Sequence, residues 1–237
     1  MKNQFEFFTE NKATEINFPI LFASQVTMPW TKQAKEKLSN DIKDYAKAHT
    51  GSHLCSGITQ LMRSGWVITS PFDFVITTNG DGRSFKWQTN SQAYSLSHFE
   101  PEQYGDHAVL PVQVLKSVLK INTGWNFKCP EGWGLMMMPL QYVDENRFTA
   151  ATGIINPKIS NDANVVFFWN VLEGEVLIKA GTPLALMLPI QLETQPFIIR
   201  EKTEKEKQFD KAYELQRATS FVVNRKRLVN LYEKFFG

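Results

Sequence analysis

Residues able to do chemistry are few, and the densest group is "HTGSHLC" at 49–55. It places His49, His53 and Cys55 within seven residues, three of the six His and Cys in the chain. Imidazole and thiolate are zinc ligands, and three of them leave one coordination position open. The same residues suit a plainer role. A helix ending near Gly51 would let a histidine cap the last carbonyls or sit at the negative end of the helix dipole. His98 or His107 would have to bring a further ligand from elsewhere, and nothing in the spacing requires it. The expectation is therefore no bound metal and no cofactor, with His49, His53 and Cys55 as the alternative metal set.

Asp73 stands out because "SPFDFVI" puts a carboxylate inside an apolar strand. In a strand it points to the face opposite Phe72 and Phe74. On a wet face it is ordinary. On a buried face it needs a partner, Arg63 or Arg83, and becomes a site candidate. Asp73, His53 and Cys55 are the candidates for catalysis, and the residues alone leave open whether any reaction occurs. "NGDGR" at 79–83 is too short for a phosphate loop and lacks its Lys and Ser/Thr, so it reads as a hairpin turn. Trp125, Trp133, Trp169 and Met136-Met137-Met138 read first as core. They also suit a cavity lined with Met and Trp, whose polar contacts would be Asn156 and Asn170.

The elements that must position these groups change period along the chain. In "TKQAKEKLSNDIKDYAKAH" at 31–49, Ala34, Leu38, Ile42, Tyr45 and His49 share a stripe at spacings of three and four, which predicts an amphipathic helix with Thr31 as its cap. Ser56 opens a shorter helix that uses Ile58, Leu61 and Met62 and ends at Gly65. "WVITSPFDFVITT" then alternates as strand around a Ser70-Pro71 break, and "SFKWQT" is the return strand. From 109 to 200 the chain reads mostly as strand. It turns at Pro130-Glu131-Gly132, at "NDAN" (161–164) and at "EGE" (173–175), "FTAATGIINP" is one strand ended by Pro157, and "VVFFWNV" has the look of a fully buried strand. "VLIKAGTPLALMLPI" at 176–190 must break at Gly181-Thr182-Pro183, since proline donates no ladder hydrogen bond and glycine packs nothing. Gly181 should bend the chain and Pro183 should begin the next strand, with Leu177, Leu184, Leu186 and Leu188 among the buried side chains. Residues 203–236 are helical: Phe209, Ala212, Tyr213, Gln216 and Ser220 share one face, a joint falls near Asn224, and Leu228, Leu231, Tyr232 and Phe235 form a second face.

Length and composition narrow the classes. At 237 residues the chain can bury a real core, and 43% hydrophobic with 21% charged residues is ordinary globular usage. No window has the ~18 consecutive apolar residues of a membrane span, and "MKNQFEFFTENK" is acidic and interrupted, unlike a secretory signal. Two distant cysteines make no disulfide framework, so a reducing, cytoplasmic compartment is the default. Net charge is +2. From Arg200 onward there are ten Lys/Arg and six Asp/Glu, leaving −2 for the preceding 199 residues. That mild surplus reads as a solvated helix face rather than a nucleic-acid strip.

The β series of residues 119–192 resembles the β-clip domains of the trimeric dUTPases and the dCTP deaminases. The stretches that carry the likeness are Pro130-Glu131-Gly132-Trp133, Gly153-Ile154-Ile155-Asn156, Trp169-Asn170 and Gly181-Thr182-Pro183-Leu184-Ala185-Leu186. The resemblance implies a barrel-like scaffold, a trimer and a nucleotide-like ligand. It also shows departures. The family's water-positioning Asp falls at Asn156, which cannot serve as a carboxylate base. Its Arg-Ser-Gly phosphate motif falls at Met138-Pro139-Leu140, its Ala-Gln glutamine at Leu186, and there is no glycine-rich C-terminal arm. For the deaminases' glutamate the candidates are Glu145 and Glu173. The whole chain is also similar to a family of phage proteins, marine phages especially, and of some bacterial ones, through "CSGITQLMRSGWVITSPFDFVI" and "IKAGTPLALMLPI"; that likeness implies viral origin and no mechanism.

The expected architecture is α+β: an antiparallel, β-clip-like barrel core with an N-terminal amphipathic helix and a C-terminal helical segment. The core domain spans 1–200, and 201–237 is a helical segment packed on it. The expected function is a non-hydrolysing binding or accessory protein for a nucleotide-like or other small flat ligand, contacted through Asn156, Asn170, Trp133 and Trp169. The rivals are an enzyme of unrecognised chemistry near Asp73, His53 and Cys55, and a structural virion or assembly protein.

Overall fold

The structure is a computed structural model, and it describes residues 4–26, 33, 36, 56–111, 113–141, 143–219 and 225–237. The helix expected at 31–49 lies outside the described residues apart from Gln33 and Glu36, which are helical. The described residues divide into a β unit within 4–26 and 60–193 and a helical unit that includes 194–219 and 225–237.

The β unit holds four sheets, antiparallel at every pairing. A two-stranded sheet joins β1 (Glu6–Phe8) to β8 (Asn126–Lys128). A four-stranded sheet runs β10 (Phe148–Ala150), β12 (Val165–Trp169), β7 (Val118–Ile121), β6 (Leu96–Phe99). A five-stranded sheet runs β11 (Gly153–Ile155), β9 (Trp133–Met138), β14 (Pro183–Gln191), β3 (Trp66–Thr69), β2 (Leu21–Phe22). A three-stranded sheet runs β13 (Glu173–Ile178), β4 (Phe74–Asn79), β5 (Phe85–Thr89). Among the described residues each sheet is open and in linear order, so the antiparallel core of the sequence expectation is present but its barrel-like arrangement is not closed. Among the described residues, α1 (Lys12–Asn17), capped by the Asn11 side chain, and α2 (Ser56–Arg63) lie before β3.

Alternation builds the core. Phe74, Ile76 and Thr78 of β4 and Val165, Phe167 and Trp169 of β12 point inward, and the residues between them are half-buried. The run "VVFFW" therefore alternates instead of being buried on both faces. One cluster gathers Ile68, Phe74, Leu119, Leu135, Phe167 and Met187 from the three larger sheets. Burying each such side chain contributes about 1.5–3 kcal/mol. A smaller cluster of Ala23, Met62, Val67 and Leu186 covers another part of the five-stranded sheet. Leu186 belongs to this second cluster, whereas Leu184, Ala185 and Met187 belong to the first, so Leu184, Ala185, Leu186 and Met187 are all buried in succession. Leu177, by contrast, is exposed and Leu188 half-buried, against expectation.

The two breaks read in the sequence turn out to be one corner. β3 pairs with β14, while β4 pairs with β13. Both chains therefore leave one sheet and enter another at the same place. Ser70 N–H donates to Thr182 O (2.9 Å), and Gly181 N–H donates to Ser70 O (2.7 Å). Thr182 N–H closes a four-residue turn onto Lys179 O (3.1 Å). Gly181 sits at the third position of that turn with φ +82°, the positive value a type II turn demands there. Pro183 begins β14 with a register shift before Ala185, so its missing donor falls at a strand start. α2 ends at Arg63, next to the stop expected at Gly65, and Gly65 also lets the chain pass against β14, since a Cβ there would lie 2.5 Å from Met187 O.

Two other expectations shift. "FTAATGIINP" is two strands, β10 and β11, in different sheets, and "EGE" opens β13 instead of turning. The hairpin at "NGDGR" forms as read, between β4 and β5. Asp81 Oδ1 accepts from Arg83 N–H and Ser84 N–H, both at 2.7 Å. Hydrogen bonds from the Ser84 side chain, then from the Ser84 and Arg83 amides, hold its carboxyl far below the usual carboxylate range.

In the helical unit, α3 (Glu204–Thr219) and α4 (Arg225–Phe236) meet through an aromatic cluster. Phe209 lies 5.1–6.0 Å from the rings of Tyr213, Tyr232, Phe235 and Phe236. Thr203 caps α3: Glu206 N–H donates to Thr203 Oγ1 (3.3 Å) and Thr203 N–H donates to Glu206 Oε2 (2.7 Å). Both guanidinium NH2 groups of Arg200 bind Glu206 at 2.7 Å. The expected joint at Asn224 and the face residue Ser220 lie outside the described residues.

Candidate functional site

The split of "FTAATGIINP" into two strands makes the site. β10 ends at Ala150 in the four-stranded sheet, and Ala151 N–H still donates to Val166 O (2.8 Å). The next residues leave, and β11 pairs with β9, Gly153 opposite Met137 and Ile155 opposite Leu135. β11 thus parts from β12, and a cleft opens between the two sheets.

The cleft has two adjoining halves. One cavity of about 290 Å³ is walled by Phe99, Tyr104, Val118, Met137, Ile154 and Val166 and is almost wholly apolar. A second of about 310 Å³ adds Lys120, Asn156, Ile159, Ser160 and Asp162. Ile154, Ile155, Asn164 and Val166 line both. Asn164 precedes β12 and shares the strand parity of Val166, so both face the cleft while Val165 and Phe167 face the core. The half-buried Asn164 carboxamide has no hydrogen-bond partner among the described residues. Asn156 spends its Oδ1 on Lys158 N–H (3.0 Å) in a turn of its own backbone. The one carboxylate in the lining, Asp162, accepts from Asn126 Nδ2 (2.7 Å).

Of the four ligand-binding residues read from the sequence, the structure brings Asn156 alone to this cleft. Asn170 Nδ2 donates to Asn146 O (3.0 Å) and Thr149 Oγ1 (3.1 Å). Trp133 packs edge-on against Phe5, 6.1 Å away. Trp169 is fully buried, and its Nε1 has no partner among the described residues. Asp73 is tied to the corner: Oδ1 accepts from Ala180 N–H (2.7 Å) and Oδ2 from Asn90 Nδ2 (3.3 Å). Arg83, expected beside it, binds Asp106 instead (2.7 Å). Glu145 is held by Arg147, Nε to Oε1 at 2.9 Å and NH2 to Oε2 at 2.5 Å, and Glu173 is exposed. His49, His53 and Cys55 lie outside the described residues; elsewhere among the described residues no three His, Cys, Asp or Glu stand where they could share a metal. No described helix is long and apolar enough to cross a membrane. Cys129 donates to Trp133 O (2.9 Å), and burial pushes its thiol pKa up.

Sequence reasoning missed Asn164, Phe99 and Tyr104. Asn164 was legible as the last residue of "NDAN", where it reads as turn, and Phe99 and Tyr104 lie where no period marks a strand.

No family model matches the sequence, and no curated protein matches it. Among solved structures the chain resembles dUTPases, phage enzymes among them. The dUTPase from phage phi11 of S. aureus is 11% identical, with 85% of this chain and 99% of that one covered at a TM-score of 0.38. The Staphylococcus bacteriophage 80alpha dUTPase with dUpNHpp is 11% identical, with 86% and 91% covered at 0.37. The EIAV dUTPase is 9% identical, with 60% and 86% covered at 0.33. Identities and scores this low assign no activity to this chain.

Proposed function

We propose that the chain is a non-hydrolysing binding protein and that the β11 cleft is its site for a small flat ligand. The observation that carries this is the unpartnered Asn164 amide at the junction of an apolar and a polar cavity. Ligand sites are typically apolar clefts with a few convergent polar groups. The non-hydrolysing reading draws support from the same lining: Asn156, where the resemblance would put the water-positioning carboxylate, is no carboxylate, and Asp162 Oδ1 accepts from Asn126 Nδ2. On this reading the open sheets are a β-clip drawn apart along β11, and the protein is phage-encoded, works in the host cytoplasm and assembles as a trimer.

The test is a thermal-shift screen of planar compounds on the parent and on Ile154→Arg, which puts a long cation into the cleft from a position already 60% exposed. A hit should stabilise the parent and leave the variant unmoved, with equal melting of the two unliganded proteins. Turnover of dUTP or dCTP at roughly one per second or faster would sink the non-hydrolysing reading. The assembly-protein reading draws on a different observation: Phe197, Ile198 and Ile199 are 81–88% exposed in a stretch without regular structure. Concentration-dependent sedimentation abolished by Phe197→Asp, together with an empty ligand screen, would favour it.

A further inference from the structure

We infer that the β11 cleft takes an uncharged, planar heteroaromatic molecule with an amide-type edge, and that Asn164 reads that edge. The inference rests on the cleft being a ligand site and specifies the chemistry of the occupant.

Charge comes first. Across both cavities the charged lining residues are Lys120 and Asp162, one of each sign. A nucleoside triphosphate would bring about three to four negative charges, against one ammonium already offset by a carboxylate. Burying unpaired charge is costly, whereas an uncharged ring meets no such penalty. Size comes second. Each cavity is close to the lower end of the ~300–1,000 Å³ usual for small-molecule sites, which fits one ring system with a compact substituent. The walls are apolar: Met137, Val118 and Val166 with Ile154 beside them, and Phe99 and Tyr104, partly exposed at 38% and 41%, supply ring faces on which a planar molecule can stack.

Direction comes from the amide. A carboxamide offers a donor and an acceptor in one plane. A ring N–H beside a ring C=O offers the complementary pair, so two parallel hydrogen bonds form without any charge. Asn164 is half-buried, lines both cavities and has its side chain unengaged, so it loses no internal bond on binding. Asn156, its Oδ1 held by Lys158 N–H, keeps its NH2 for the outer end of the ligand.

The experiment is calorimetric titration of the full chain with thymidine and inosine, their edge-blocked N3-methyl and N1-methyl forms, and their 5′-triphosphates. The free nucleosides should bind at least as tightly as the triphosphates. Methylating the edge should weaken binding about tenfold or more, the scale of a lost hydrogen-bond pair. Asn164→Ala, melting as the parent does, should show the same loss and no further sensitivity to methylation. A triphosphate binding tenfold more tightly than its nucleoside would overturn the uncharged-ligand inference while leaving the cleft a binding site. Equal methylation sensitivity in Asn164→Ala would overturn the role given to Asn164. Silence from every nucleoside and triphosphate, with no other planar compound shifting the melting of the protein, would sink the binding reading itself.

Discussion

Gly181→Val tests the corner on which the β unit turns. Gly181 has φ +82°, and a Cβ built there meets nothing within 4 Å. The substitution therefore adds no steric clash, and its cost is backbone strain alone. A non-glycine residue in the left-handed region costs about 1–3 kcal/mol, with a β-branched one toward the upper end. The chain cannot escape by relaxing the turn, because Gly181 N–H and Thr182 O are both bonded to Ser70. About 2 kcal/mol, with an m-value of ~2 kcal/mol/M in urea, lowers the unfolding midpoint by about 1 M. Tryptophan fluorescence is a suitable probe, since Trp66, Trp87, Trp125, Trp133 and Trp169 all lie in the β unit. Gly181→Asn should fall between parent and valine, as asparagine tolerates this region better. Gly65→Ala is the contrasting control: its φ lies outside the positive range, but the new Cβ is 2.5 Å from Met187 O, so its cost is overpacking of about 1–3 kcal/mol. A Gly181→Val midpoint within about 0.2 M of the parent, or about 0.4 kcal/mol at that m-value, would show that the turn relaxes freely and that the corner does not constrain the two sheets.

Two further outcomes follow from side chains already placed. Asp73→Ala removes the acceptor for Ala180 N–H and should cost about 1–3 kcal/mol, while Asp73→Asn, which keeps an oxygen there, should cost less. In a double-mutant cycle with Gly181→Val the two should couple by about 0.5 kcal/mol or more, since both act on one turn; strict additivity would separate Asp73 from the corner. In the helical unit, Arg200 first and then Thr203 hold the Glu206 carboxyl far below its usual range. A folded pKa below the unfolded one means that stability is present above the unfolded value, ~4.3, and is lost as pH falls below it toward the folded value. Helical circular dichroism should therefore decline on acidification below about pH 4, and Glu206→Gln should flatten that decline. An unchanged acid profile in the variant would place the sensitivity elsewhere.

Parity along single strands was legible in the sequence; pairing between distant segments was not. The breaks at Ser70-Pro71 and Ala180-Gly181-Thr182-Pro183 each announce themselves through local turn chemistry. That they bond to one another depends on a contact across about 110 residues, which no local signal encodes. Asp73 shows the consequence. An isolated carboxylate in an apolar strand reads as a site or as a member of an ion pair. It is neither an Arg63 nor an Arg83 partner, because a backbone amide from the distant turn satisfies it. "FTAATGIINP" misleads for a related reason: its apolar content suits one strand, and only the competing pairings of Ala151 with Val166 and Gly153 with Met137 divide it.

The same parity also separates core from cleft once the register is known. In "NVVFFW", Val165, Phe167 and Trp169 alternate inward, so the tryptophan that reads as a ligand contact ends fully buried. Asn164, Val166 and Phe168 take the other face, and Phe168 packs 6.3 Å from Tyr104, which walls the cleft. A period of two in six residues thus assigns the tryptophan to the core and the asparagine to the site. What it cannot supply is which of the two faces remains uncovered. That is decided by β11, which leaves β12 to pair with β9 and so exposes the face bearing Asn164.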